Sequence, residues 1–219
     1  MNGCRTKWDM PHKSAIDYDR DKEKKIYDDY YDDQEYIIYC DMDGTICSFA
    51  GPALERMNYY RIHQFELSPK QRKLLKKCGN IEEFKLEHIL PWDKKNNKYV
   101  DYMFSLIRKD ISFWEHLPWI EESKELWNYI KQYNPYILTG PLDEASEEGK
   151  KRWCERELGI SRDRVIVTQD KFKYAKENTI LIDDFLSYLQ PFRDNGGIGI
   201  LHRNTKHTIK QLKIILDIT

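Results

Sequence analysis

Five short apolar runs rich in β-forming residues, at positions 36–40, 136–138, 165–167, 179–182 and 198–201, constrain the fold of this chain more than any other feature. Each is too short for a helix and too uniformly apolar for a strand with one wet face, so together they predict a parallel sheet covered on both sides. Helical patterns lie between them. Residues 121–133 carry Leu126, Trp127 and Ile130 at helical spacing, and residues 143–159 run from Asp143, a good N-cap, to Gly159, a good C-terminal cap. Residues 204–218 line up Ile209, Leu212, Ile215 and Leu216 on one face. Strands alternating with helices mean βαβ units, and hence a doubly wound, Rossmann-like α/β fold.

One interval breaks the alternation. Residues 50–117 read as helix and loop, and a structureless connection of that length is implausible inside a domain. The expected division is therefore a core of residues 36–49 and 118–219 with a mostly helical subdomain, 50–117, inserted after the first strand. Ligands of open α/β sheets bind beyond the carboxyl ends of the strands near a switch in strand order, so the insertion should cover that site as a cap. Residues 1–35 are dominated by Asp, Lys and Tyr. They read as a solvated arm, with docking through the tyrosines as the alternative.

The strand ends carry the chemistry. The first run closes in Asp41-Met-Asp43-Gly44-Thr45, two carboxylates that would share one face of a continuing strand, followed by a glycine that lets the backbone turn. A plain turn explains the aspartates alone. A calcium loop does not, since it needs a further ligand before its glycine and a Glu where this chain has Pro52. The second run ends in Thr139 and Gly140, a hydroxyl and an amide able to receive an anionic oxygen. The fourth ends in Asp183-Asp184, adjacent acids that repel each other unless a cation lies between them. Oxygen ligands beside a phosphate substrate point to Mg²⁺. Lys150 falls on the apolar stripe of the 143–159 helix with Trp153, Cys154 and Leu158, aimed at the same place unless it snorkels outward or yields to Lys151.

This ordered set, with Thr139, Lys150 and Asp183-Asp184 each after the expected strand or helix, resembles the four-motif signature of the haloacid dehalogenase-like (HAD) phosphohydrolases across residues 36–201. Residues 113–130, 150–160 and the Asp170-Lys171 pair are similar to the 5′(3′)-deoxyribonucleotidases within that superfamily, although the second motif has Gly140 where a serine is expected. The resemblance implies Asp41 as nucleophile through an aspartyl-phosphate and Asp43 as general acid and base. It implies Mg²⁺ held by Asp41, Asp183, Asp184 and the Asp43 carbonyl, and phosphate bound by Thr139, Gly140 and Lys150. Lys171 would contact phosphate or sugar. Phe49, with Trp92, Phe113 or Trp114, would stack on a nucleobase.

Composition limits the alternatives. With 40% hydrophobic and 13% aromatic residues the chain is globular despite its 33% charge, and a formal net charge of −1 argues against extended nucleic-acid or membrane binding. Five cysteines without a Cys-X-X-Cys pair signal neither a disulfide framework nor zinc, and reduced thiols fit a cytoplasmic compartment. No apolar stretch approaches a membrane span, and no signal peptide is recognisable. The expected partner is a small phosphate ester, foremost a nucleoside monophosphate. Another small ester, or a non-catalytic interaction protein on the same scaffold, are the rival readings. Oligomeric state stays open, a homodimer included.

Overall fold

The computed structural model describes residues 36–90 and 96–216; the charged arm expected over 1–35 and Trp92 lie outside them. Five parallel strands form a single sheet in the order β3-β2-β1-β4-β5. They are β1 (Ile37–Cys40), β2 (Tyr136–Thr139), β3 (Val165–Val167), β4 (Thr179–Asp183) and β5 (Ile198–Leu201). All five expected runs are strands, and two reach one residue further. Thr139 and Asp183 are therefore held in the ladder, Thr139 beside Val167 and Asp183 beside Leu201. The chain steps outward from β1 through β2 to β3, then returns to the other side of β1. The order thus reverses between β1 and β4, where the two aspartate pairs end their strands.

Alternation along the strands divides the core in two. Ile38, Cys40, Ile137, Ile180, Ile182 and Ile200 face one side, in one cluster with Leu126, Trp153, Cys154 and Leu212. Tyr39, Leu138 and Leu181 face the other and meet Leu189 and Phe192. The first group of partners comes from helices placed close to their sequence expectation.

Helices α1 (Ala50–Ile62), α2 (Pro69–Cys78), α3 (Leu86–Ile89), α4 (Lys98–Ile107) and α5 (Ile111–Glu115) fill the interval between β1 and β2, and α6 (Ser123–Ile130) leads into β2. Local chemistry starts several of them. Ser68 and Gln71 form a reciprocal capping box with Pro69 at the first helical position, while Asn97 and Asp110 cap α4 and α5. Helix α7 (Glu144–Leu158) begins at Asp143, whose carboxylate accepts from the Ser146 amide, and ends at Gly159 in the left-handed region, φ 67°. Helices α8 (Leu186–Asp194) and α9 (Thr205–Leu216) follow β4 and β5. Only α8 has no counterpart in the sequence reading. Pro191 sits inside it and its N-cap, Phe185, makes no side-chain cap bond, so both usual helix signals are missing.

The helical interval leaves and re-enters the sheet layer through two segments that hold each other. The Ser48 amide donates to the Pro118 carbonyl at 2.8 Å and the Ile120 amide to the Ile46 carbonyl at 3.0 Å. Ser123 Oγ adds a 2.6 Å bond to the Thr45 carbonyl. Helix α5 then packs closely across α7 at Gly149, where an added Cβ would lie 2.5 Å from Trp114 Cβ and 2.7 Å from the Ile111 carbonyl.

Candidate active site

Just beyond β1, the chain makes a tight loop. The Met42 carbonyl accepts from the amides of Thr45, Ile46 and Cys47, and Gly44 takes φ 81°. A side chain at Gly44 would also collide with Asp184, since its Cβ would lie 2.4 Å from the Asp184 carboxylate. Backbone conformation and space both demand glycine there.

This loop and the end of β4 bring three carboxylates together. Asp41, Asp183 and Asp184 each offer an oxygen, and these oxygens lie within 4.8 Å of one another. Lys171, 1% exposed, spans two of them, with Nζ 2.6 Å from Asp41 Oδ1 and 2.7 Å from Asp183 Oδ2. Burial works to lower the Lys171 pKa, but the two carboxylates outweigh it and hold it above the usual lysine value. One ammonium does not neutralise three carboxylates. Burial first, and then the Asp41 charge, pushes the Asp183 carboxyl up to about 7 and the Asp184 carboxyl up to about 8. The donor set is all carboxyl oxygen and short of positive charge, and it fits a hard divalent cation such as Mg²⁺.

A second constellation sits beside the first. Lys150, also 1% exposed, turns inward from α7 and places Nζ 2.6 Å from Asp43 Oδ2, 3.1 Å from Thr139 Oγ1 and 2.5 Å from the Gly140 carbonyl. Lys151, the alternative cation, pairs with Glu147 one helical turn away. The Asp43 carboxylate is outside the three-carboxylate group and belongs to Lys150. Two buried lysines thus divide the aspartates of β1 between them.

Both constellations open into one cavity of about 460 Å³. Asp41, Asp43, Lys150, Lys171, Asp183 and Asp184 form its floor, and Phe49, Phe104, Trp114, Ile120 and Leu142 form an apolar wall. Phe49 lies at the start of α1, stacked on Trp114 at 5.4 Å and 13°, with Phe113 edge-on at 6.0 Å. Trp114 therefore lines the cavity, whereas Phe113 is buried behind it. Lys150 Nζ is 5.2 Å from the Trp114 ring centre, which ties the apolar wall to the floor.

Every described residue proposed from sequence meets in this cavity except Thr139 and Phe113, which stand one contact behind. The sequence offered no reason to bury Lys171, because a lysine after a short strand normally points to water; only the facing carboxylates make burial favourable. Gln169 and Tyr188, which also line the cavity, escaped the reading. Tyr188 rides on the helix that Pro191 concealed.

No protein-family model matches this chain, and no curated protein matches it. Among solved structures it is similar to a haloacid dehalogenase-like hydrolase from Streptococcus pneumoniae, at 12% identity over 85% of this chain and 99% of that one, TM-score 0.47. It is also similar to the HAD-hydrolase YfnB from Bacillus subtilis bound to magnesium, at 13% identity over 83% and 98%, TM-score 0.46. A hydrolase from Streptococcus pneumoniae TIGR4 aligns at 14% identity over 84% and 99%, TM-score 0.45.

Proposed function

We propose that this chain is a Mg²⁺-dependent phosphomonoesterase of the HAD type that hydrolyses nucleoside monophosphates, deoxy forms included. The observation that carries the reading is the pairing of two constellations at the floor of one cavity: Asp41, Asp183 and Asp184 around Lys171, and Asp43 and Thr139 around Lys150. Asp41 would attack phosphorus, forming a phosphorus–carboxylate bond as the ester oxygen leaves. Asp43 would give that oxygen its proton, then take one from the water that attacks the aspartyl-phosphate and restores Asp41. Lys150 and the Gly140 amide would receive phosphoryl oxygens, with Thr139 holding Lys150 from behind, and Lys171 fixes the Asp41 carboxylate. Mg²⁺ bound by Asp41, Asp183 and Asp184 would offset charge repulsion between nucleophile and phosphate.

The nucleotide part rests on the apolar wall. Phe49 and Trp114, held flat against each other, with Phe104 nearby, suit a planar leaving group better than a bare sugar. Phosphate release from 5′- and 3′-nucleotides, sugar phosphates and p-nitrophenyl phosphate, with Mg²⁺ or EDTA, tests both parts. The expected result is Mg²⁺-dependent release favouring nucleotides, lost at least about a thousandfold in Asp41→Asn. Release from sugar phosphates alone would keep the chemistry and overturn the substrate. An inert wild type would overturn both and leave an interaction protein.

A further inference from the structure

Gly140 is a glycine close to two polar side chains. It lacks the positive φ that demands one, yet a Cβ added to it would lie 3.3 Å from Gln169 Nε2, 3.4 Å from Gln169 Oε1 and 3.4 Å from the Tyr188 hydroxyl. The loops after β2 and β3 meet the first turn of α8 at this point. Gln169 joins them, donating from Nε2 to the Pro141 carbonyl at 2.9 Å and accepting at Oε1 from the Tyr188 hydroxyl. Tyr188 is itself anchored, with its ring centre 4.4 Å from Lys171 Nζ.

Those bonds orient the Gln169 amide. Its carbonyl oxygen is taken by Tyr188 and one N–H by Pro141, and the second N–H has no partner among the described residues. That nitrogen lies against Gly140, and both residues line the same cavity. An N–H donor on the lining of a cavity whose floor holds two buried ammonium groups can serve an anion's oxygens, and a side chain at position 140 would press on it.

We propose that Gln169 is a phosphate-binding residue of this site and Tyr188 the residue that positions it. The inference rests on the phosphomonoesterase reading and extends its oxygen-binding set to the loop after β3. Glutamate at 169 matches glutamine in shape but repels a phosphoryl oxygen, whereas leucine only removes the donor. Tyr188→Phe keeps the ring over Lys171 and releases the amide. Gly140→Ala pushes Gln169 aside without touching its chemistry.

The test is steady-state hydrolysis of the preferred ester by wild type and these four variants, with competitive inhibition by inorganic phosphate and thermal melting as a folding control. Gln169→Glu is expected to raise KM and the phosphate inhibition constant tenfold or more with kcat within threefold. Gln169→Leu, Tyr188→Phe and Gly140→Ala should raise both threefold to tenfold. Folded, active Gln169 variants with wild-type KM and phosphate affinity would overturn this inference and leave the phosphomonoesterase reading standing. A drop in kcat alone also overturns it, because it places Gln169 on the chemical step. A wild type that hydrolyses no ester overturns both together.

Discussion

At the scale of single residues, the balance between Lys171 and its carboxylates governs how the site responds to pH. An unfolded aspartate titrates near about 3.9. Asp183 and Asp184, pushed up to about 7 and about 8, keep protons in the folded protein that the unfolded chain has already released. Their contribution is therefore fully present near pH 4 and declines as pH rises towards 8, by up to about 1.4 kcal/mol per pH unit for each proton retained. In EDTA, the melting temperature should fall between pH 6 and pH 8.5, and Mg²⁺ should abolish the fall. A flat profile in EDTA would show that the carboxylates are already matched without a cation. Among the described residues, Lys171→Met removes the only ammonium bonded to Asp41 and Asp183. Urea unfolding at pH 8 in EDTA should report a loss of about 3 kcal/mol, shrinking at pH 5 where Asp183 holds its proton.

Elements place these residues, and helix α7 places Lys150. Its start was legible in sequence because Asp143 is a good N-cap, and its stop because Gly159 suits the left-handed turn there. Asp143 also accepts from the Lys109 amide at 2.9 Å, so it joins α7 to the turn before α5. Asp143→Ala should cost about 1–2 kcal/mol in urea unfolding. Gly149 has a different task. Adding one methyl would drive Trp114 and the α5 backbone away from α7, so Gly149→Ala should destabilise by about 1–3 kcal/mol and raise KM by displacing the apolar wall. Wild-type stability and KM in that variant would mean that α5 is free to shift. Helix α8 was illegible for the opposite reason, since Pro191 breaks its local pattern. Packing of Leu189 and Phe192 against Tyr39, Leu138 and Leu181 holds it in place instead.

Taken whole, the molecule buries the thiols of its described residues, even the one beside its chemistry, where Cys47 Sγ lies 3.7 Å from Asp43 Oδ1. Cys40, Cys47, Cys78 and Cys154 are all buried, and burial raises the pKa of each. None can present a thiolate to a reagent in the native state. These four thiols should react with a thiol reagent only after unfolding in guanidinium, counted against the native protein. Prompt reaction of any of them would mean that the layer opens locally.

Sequence by itself determined what nearest-neighbour chemistry can specify. Five runs of apolar β-formers could only be covered strands, and the aspartates that end β1 and β4 had to emerge together once those strands were parallel neighbours. Capping residues and glycines marked the ends of α7 because their preferences are local. Tertiary structure decided what depends on partners distant in the chain. Lys171 is buried only because Asp41, 130 residues earlier, faces it. Gln169 is oriented at the cavity because the Pro141 carbonyl and the Tyr188 hydroxyl hold its amide. Hydrophobic pattern carries no record of such long-range electrostatic and steric fits, because they exist only when the sheet has brought its strand ends together.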